Sequence, residues 1–213
     1  MTYKLKENEF DKSIDWVDRL SEDDYVIIDN FIDDKLFEKL RDFFLTKLEE
    51  EDFKDAGIGP LTNHQIVPSI RKDFIYWINK DEDESTEKAL ELFDDVTQAL
   101  RRYCFLSISD SEFHLAHYPS GAYYHKHVDQ FKNRGNRLIS LFLYLNKDWK
   151  KGDGGELRIF KEDGFELIEP IGKRLVMFKS DLVPHEVLKT NVSRYSLTGW
   201  LLNKPKGVGY LLG

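Results

Sequence analysis

The C-terminal half of the sequence constrains the fold most, because from about residue 106 it alternates short strand-like runs with turn residues. The runs are rich in β-branched and aromatic residues, and clusters of Gly, Pro, Asn and Asp separate them. Eight short strands at this spacing predict a barrel or a jelly roll. The predicted strands cover residues 112–118, 123–129, 137–145, 155–160, 165–169, 173–178, 183–189 and 194–202.

The N-terminal half predicts helices that pack on this β core. Residues 51–70 break every helical or strand period, and they predict a long loop or an irregular hairpin. Loops of this length in compact domains often cover binding sites. The fold class is therefore expected to be mainly β, with supporting N-terminal helices. The predicted helices are 8–20, 33–50 and 85–104, and the predicted additional strands are 25–29 and 70–78.

The 213 residues contain no internal repeat, low-complexity segment or Pro/Gly-rich linker, so we expect a single domain over residues 1–213. Within it we distinguish a helical flank, 1–105, a jelly-roll core, 106–203, and a short tail, 204–213. The only cysteine, Cys104, excludes an intramolecular disulfide and a cysteine-rich zinc site.

Charge and hydropathy narrow the classes of partner. The formal net charge of −8 disfavours a general nucleic-acid binder. No stretch approaches the roughly 18 apolar residues of a membrane span, and the N-terminal residues lack the apolar region of a signal peptide. We therefore expect no membrane partner and a cytoplasmic location.

Three candidate metal ligands stand at alternate positions in the segment YPSGAYYHKHVD, residues 118–129. They are His125, His127 and Asp129. Side chains two apart in a strand point to the same side, whereas on a helix they would diverge by roughly 200°. Only His127 pairs with Asp129 at the spacing at which an imidazole and a carboxylate reach one ion. His125 is therefore expected to lie beside the site or at its rim.

A third ligand and a carboxylate-binding arginine follow later in the chain. His185, in VPHEV, is the best third ligand, and two imidazoles with one carboxylate form the site expected of non-haem Fe(II) oxygenases. Arg194 comes nine residues later, with Ser196 at alternate spacing on the same side. A guanidinium fork beside a hydroxyl suits the distal carboxylate of a dicarboxylate such as 2-oxoglutarate.

From about Tyr25 to Asn203 the sequence resembles the 2-oxoglutarate-dependent Fe(II) dioxygenases, specifically the branch of the hypoxia-inducible-factor prolyl hydroxylases and their bacterial relatives. The resemblance implies a double-stranded β-helix, the cupin-like form of the jelly roll. It also implies Fe(II), 2-oxoglutarate and O₂ as cofactors, with ascorbate as a further candidate. The motifs that carry it are IRKDFIYWI, YPSGAYYHKHVD, YLNKDW followed by GGELRIF, IEP, SDLVPHEV and SRYSLTGW.

The resemblance also assigns roles to individual positions. His127, Asp129 and His185 match the iron ligands, Arg194 the arginine that binds the 2-oxoglutarate carboxylate, and Tyr144 the tyrosine that hydrogen bonds it. The loop 51–70 corresponds to a mobile loop that covers the substrate. Residues matching the walls of the co-substrate pocket are Tyr118, Tyr124, Leu157, Val187 and Trp200. Residues matching the peptide-substrate site are Arg71, Asp73, Trp77 and Arg137, the last of which could alternatively pair with Asp73.

Two departures from the family pattern stand close to the predicted site. The segment between Tyr118 and His127 is one residue shorter than in the animal enzymes. The Tyr118 side chain is therefore expected to reach the pocket differently. His114 and His125 add imidazoles near the pocket.

The sequence therefore predicts an enzyme that hydroxylates a proline in a protein or peptide, with succinate and CO₂ as co-products. A translation factor is the first candidate substrate. One alternative is a hydroxylase of a small molecule such as a free amino acid. The other is a non-catalytic jelly-roll module that binds a metal. The oligomeric state stays open.

Overall fold

Two antiparallel sheets and three helices make up the part of the chain that the structure describes, residues 14–56, 70–130 and 136–203 of a computed structural model. The helices are α1 (Ile14–Asp23), α2 (Asp34–Glu49) and α3 (Glu87–Tyr103), the last preceded by a 3₁₀ turn, Glu84–Thr86. The strands are β1 (Tyr25–Ile28), β2 (Lys54–Asp55), β3 (Phe74–Trp77), β4 (Asp110–Tyr118), β5 (Tyr124–His127), β6 (Arg137–Tyr144), β7 (Leu157–Lys161), β8 (Gly164–Ile168), β9 (Leu175–Lys179), β10 (His185–Val187) and β11 (Arg194–Leu202).

The strand order brings early and late parts of the chain together. A seven-stranded sheet has the order β1-β9-β6-β11-β4-β3-β2, and a four-stranded sheet has the order β5-β10-β7-β8. Consequently β4 pairs with β11 and β5 with β10. All eight strands predicted after residue 106 are present, and the prediction of a mainly β jelly roll is confirmed.

The N-terminal elements are present with changed bounds, and the first helix extends to Asp23, beyond its predicted end at residue 20. The strand predicted over 70–78 covers only Phe74–Trp77, and the segment 51–56 contributes the short strand β2, which pairs with β3. Residues 57–69 of the predicted loop, the first part of the helix predicted over 8–20, and the tail 204–213 lie outside the described residues.

Helix α2 shows how local sequence starts and orients a helix. The side chain of Asp33 accepts a hydrogen bond from the backbone N–H of Leu36 at 2.7 Å, which satisfies one of the open N–H groups at the helix start. Leu36, Leu40 and Phe44 then recur at helical spacing and are buried. The helix therefore turns its apolar face to the seven-stranded sheet.

Alternation along β11 separates two cores. Leu197 and Leu201 join a cluster that includes α2 and α3, so one face of the seven-stranded sheet is covered by helices. Ser196, Thr198 and Trp200, at the alternate positions of the strand, therefore point to the opposite face, towards the four-stranded sheet. Tyr144, Leu157 and Val187 belong to the second cluster, between the two sheets. This interior holds the candidate site.

None of the helices within the described ranges is both long and apolar enough to span a membrane.

Candidate metal and co-substrate site

The three predicted metal ligands converge at the open end of the four-stranded sheet. His127 ends β5 directly opposite His185, which begins β10, and Asp129 follows two residues after His127. Asp129 Oδ1 lies 3.4 Å from His127 Nε2 and 3.8 Å from His185 Nε2. All three ligand atoms lie within 4.8 Å of one another, close to the roughly 4.4 Å that separates two atoms bound to one metal at about 2.0–2.2 Å, so these side chains are grouped as a single ion requires.

Backbone carbonyl groups set which ring nitrogen faces the candidate site. His127 Nδ1 lies 2.7 Å from the carbonyl oxygen of His125, and His185 Nδ1 lies 3.0 Å from that of Val183. A carbonyl only accepts, so Nδ1 carries the proton in both rings. The lone pair of each Nε2 is therefore available to a metal, the usual arrangement for histidine ligands.

Asp129 is held through one oxygen and presents the other. Its Oδ2 accepts hydrogen bonds from Ser140 Oγ at 2.6 Å and from Trp200 Nε1 at 3.0 Å. Ser140 Oγ also lies 2.9 Å from Ser180 Oγ, and the Asp129 N–H donates to the Ser180 carbonyl at 3.1 Å. These contacts leave Oδ1 facing the two imidazoles. Ser140 is not among the predicted site residues, although a serine inside the apolar strand LISLFLY is a visible signal in the sequence.

The electrostatics favour the protonation states that a cation requires. Burial would raise the pKa of Asp129, but the two histidines and the Ser140 hydroxyl outweigh it and hold that pKa well below its usual range. Burial lowers the pKa of His185 to about 4. At neutral pH the site therefore offers a carboxylate and a neutral imidazole at these positions, which are the forms that bind metal.

A buried guanidinium and a buried phenol point into the same interior. Arg194 is only 1% exposed. Its Nε donates to the Gly155 carbonyl at 2.8 Å, whereas its two Nη atoms and the Tyr144 hydroxyl have no hydrogen-bond partner among the described residues. A buried charge without a counter-ion is costly. A ligand carboxylate would satisfy all three groups, so the arrangement fits a bound dicarboxylate.

Gly155 allows the close approach that orients Arg194. Its backbone has φ +76°, and a Cβ at this position would lie 2.9 Å from Arg194 Cδ and 3.1 Å from Thr190 Cβ. A side chain would therefore push the guanidinium away from the carbonyl that holds its Nε. The GGELRIF motif thus includes a residue that positions the predicted co-substrate arginine.

The other predicted pocket residues lie around these two groups. The Arg194 guanidinium carbon lies 4.9 Å from the ring centres of both Tyr118 and Tyr144. Tyr124 stacks on the His127 ring at 3.6 Å. The Ser196 hydroxyl contacts Thr198 Oγ1 at 3.1 Å rather than the Arg194 guanidinium. Leu157 and Val187 are buried in the wall that the four-stranded sheet forms. Trp200 contacts Asp129 and so belongs to the metal end of the pocket.

The predicted substrate residues lie near the same end. Arg71 binds Asp73 through a hydrogen bond of 2.7 Å between Nε and Oδ1, and Trp77 is 41% exposed. Arg137 lies over the Trp200 ring at 3.4 Å and pairs with Glu112 at 3.0 Å. The alternative prediction that Arg137 pairs with Asp73 is therefore wrong, because the strand register places Glu112 rather than Asp73 beside Trp200.

The two additional histidines occupy different places. His125 is exposed, and its backbone carbonyl holds His127, which agrees with its expected position beside the site. His114 is buried against the rings of Trp77 and Trp200, with ring centres 5.0 and 5.2 Å away.

Comparison with known proteins agrees with this geometry. Residues 113–202 match the model of the 2OG-Fe(II) oxygenase superfamily. The human prolyl hydroxylase EGLN3 is 33% identical over 199 residues, which cover 85% of this chain and 79% of that protein. The chain covers much less of some other animal relatives, 27% of the length of one and 46% of another.

Solved structures show the same relationship. The crystal structure of a Pseudomonas putida prolyl-4-hydroxylase has a TM-score of 0.82 at 34% identity, covering 89% of this chain and 98% of that one. A Trichoplax adhaerens prolyl hydroxylase in complex with a fragment of the hypoxia-inducible factor oxygen degradation domain has a TM-score of 0.85 at 26% identity, covering 95% and 94%.

These matches and the site geometry lead to one assignment. The matching superfamily uses Fe(II), 2-oxoglutarate and O₂, which confirms these three predicted cofactors. The same matches confirm the resemblance stated from the sequence motifs. The chain belongs to the 2-oxoglutarate- and Fe(II)-dependent oxygenase superfamily, in its prolyl hydroxylase branch.

Proposed function

We propose that this protein is a dioxygenase that hydroxylates a proline in a protein or peptide substrate and converts 2-oxoglutarate to succinate and CO₂. The observation that carries the proposal is the combination of two features in one interior. A His-Asp-His group fits a single ion, and Arg194 with Tyr144 presents three donor groups, unpaired within the described ranges, that fit a carboxylate. A metal-binding module without turnover would not need the second feature.

In this proposal His127, Asp129 and His185 hold the metal through Nε2, Oδ1 and Nε2. When bound, Fe(II) supplies the oxygen activation that couples oxidative decarboxylation of 2-oxoglutarate to hydroxylation of the substrate. Ser140 and Trp200 keep Asp129 Oδ2 occupied, so that Oδ1 faces the metal. The carbonyls of His125 and Val183 keep both rings in the metal-binding tautomer.

The distal carboxylate of 2-oxoglutarate is assigned to the two Nη atoms of Arg194 and to the Tyr144 hydroxyl. Burial raises the pKa of Tyr144 despite the nearby guanidinium, so the phenol stays protonated and can donate. The walls that exclude water are assigned to Tyr118, Tyr124, Leu157 and Val187, all in contact with the interior cluster. Ser196 lies beside Arg194 on β11 and completes this wall.

The substrate is assigned to the metal end of the pocket, where Trp77 is exposed and the Arg71–Asp73 pair lies beside Tyr124. The peptide bound to the Trichoplax relative supports a proline-containing peptide as the substrate class. Arg137 reaches this region over the Trp200 ring. A translation factor remains our first candidate for the protein that carries the proline.

The single-domain organisation over residues 1–213 is likewise a proposal, supported by the helices and the seven-stranded sheet sharing one hydrophobic cluster. Ascorbate use, a cytoplasmic location and the lack of nucleic-acid and membrane partners stay predictions from the sequence.

The proposed function is tested by incubating a cell lysate with the protein, Fe(II) and 2-oxoglutarate, followed by peptide mass spectrometry. We expect a small set of proline-containing peptides to gain one oxygen atom, and none to gain it with His127→Ala. Oxidation of a free amino acid with no peptide modified would instead support the small-molecule hydroxylase.

A further inference from the structure

Among the described residues, His114 is a buried polar group of the interior that has no role in the proposed site. Ser140 binds Asp129, Ser196 contacts Thr198, and Arg194 binds Gly155. His114 is only 3% exposed, and its Nδ1 has no hydrogen-bond partner among the described residues. An unpaired buried nitrogen destabilises the fold, so its presence requires an explanation.

The surroundings of His114 connect the protein surface with the metal site. On β4 it pairs with Trp77 of β3 on one side and with Thr198 of β11 on the other. Its ring contacts those of Trp77, which is partly exposed, and Trp200, which binds Asp129, and the two indole ring centres lie 6.3 Å apart. His114 therefore lies against both indole rings, at the place where the partly exposed Trp77 meets the tryptophan that binds Asp129.

The charge environment keeps this imidazole neutral. Burial, together with the positive charges of Arg71 and Arg137, lowers the pKa of His114 to about 3. A neutral imidazole offers one N–H donor and one acceptor nitrogen. His114 can therefore donate to, or accept from, a neutral group such as an amide, and it adds no charge to the pocket.

We propose that His114 is a specificity-determining residue that hydrogen bonds a peptide amide of the substrate next to the hydroxylated proline. This inference rests on the proposed function. A prolyl residue has a carbonyl group but no backbone N–H, so in a contact with the backbone of the proline itself the ring serves as donor. The neighbouring indole rings suit the apolar pyrrolidine, and His114 supplies the one polar contact that positions the peptide.

The test compares His114→Leu, His114→Gln and the matched control His117→Leu, using the proline-containing peptides identified in the lysate experiment. His117 lies on the same strand but contacts Tyr195, Phe53 and Ser193 outside the pocket. We expect His114→Leu to lower kcat/KM for peptide by about tenfold, the effect of one lost hydrogen bond of 1.4 kcal/mol. His114→Gln should retain part of the wild-type kcat/KM for peptide, and His117→Leu should retain all of it.

Two further readouts separate recognition from a structural role. Turnover of 2-oxoglutarate without peptide should stay unchanged in His114→Leu. Its melting temperature should be equal to that of the wild type or higher by about 2–4 °C, because the unpaired nitrogen has been removed.

The inference is overturned if His114→Leu hydroxylates peptide as efficiently as the wild type. It is also overturned if the substitution lowers the melting temperature and peptide-free turnover together, since that pattern indicates a structural residue. A wild type that modifies no peptide refutes the proposed function itself, and the inference with it.

Discussion

At the scale of single residues, the site depends on side chains that are held at one atom and open at another. Asp129 is bound through Oδ2 and presents Oδ1, and Arg194 is bound through Nε and presents both Nη atoms. Such preorganisation fixes the geometry before a ligand arrives. The chemistry of these residues was readable from the sequence, but the atoms that hold them were not, because they come from distant segments.

Replacement of Arg194 by lysine keeps the charge but removes the planar fork. We expect Arg194→Lys to weaken 2-oxoglutarate binding by at least about tenfold, since a lysine cannot make the bidentate contact. Binding of Zn²⁺ to the metal site should stay unchanged. Calorimetric titration of the metal-free protein with Zn²⁺, and then of the zinc-loaded protein with 2-oxoglutarate, measures both affinities. The control is Arg174→Lys, at the partly exposed pair with Asp29. Equal losses of metal and 2-oxoglutarate would mean that Arg194 is mainly structural.

Gly155 and Gly152 provide a matched pair in one loop. Both have positive φ values, +76° and +102°, but a Cβ at Gly152 would meet nothing within 4 Å. We expect Gly155→Ala to weaken 2-oxoglutarate binding by about tenfold or more, because it displaces Arg194. Gly152→Ala should lower only the stability, through backbone strain of about 1 kcal/mol. Similar 2-oxoglutarate affinities in the two variants, measured by the same calorimetry, would contradict this account of Gly155.

At the scale of elements, strand register assembles the site. Alternating β segments and their turns are local patterns, and for this reason the eight strands after residue 106 could be predicted. The pairing of His127 with His185 and the contact between Trp200 and Asp129 depend on which strands become neighbours. The wrong partner predicted for Arg137 has the same cause, since Glu112 reaches it only through the β4–β11–β6 register.

Strand β11 contributes to both ends of the pocket, and Trp200 is its contact with the metal ligands. Trp200→Phe keeps most of the packing but removes the N–H that binds Asp129 Oδ2. Loss of such an outer contact typically costs about 10–100-fold in metal affinity. A competition titration with a chromogenic chelator measures it, with Trp16→Phe, a partly buried tryptophan in the helical cluster, as the control. Unchanged metal affinity would show that Ser140 alone orients Asp129.

At the scale of the whole molecule, burial of neutral histidines couples stability to pH. The pKa of His185 is lowered to about 4 and that of His114 to about 3, whereas in the unfolded chain both pKa values are about 6.5. Between these values the unfolded state binds more protons than the folded state. The stability of the metal-free protein should therefore fall as the pH decreases from about 6.5 towards 4.

The unfolded state is expected to bind up to two protons more than the folded state, so the free energy of unfolding should change by up to about 2.7 kcal/mol per pH unit. Urea unfolding in the presence of a chelator at pH 7, 6 and 5 measures this slope. His114→Leu should reduce this pH dependence by the contribution of one proton. A free energy of unfolding that does not change over this range would show that these imidazoles are not buried in the metal-free protein.

The central claim is that the His127, Asp129 and His185 group works together with Arg194 as an iron and 2-oxoglutarate site. Its most direct test is the formation of succinate from 2-oxoglutarate by the purified protein with Fe(II) under air. We expect turnover by the wild type, none by His127→Ala, and turnover by Arg194→Lys only at raised 2-oxoglutarate concentration. A wild type as inactive as His127→Ala would contradict the account.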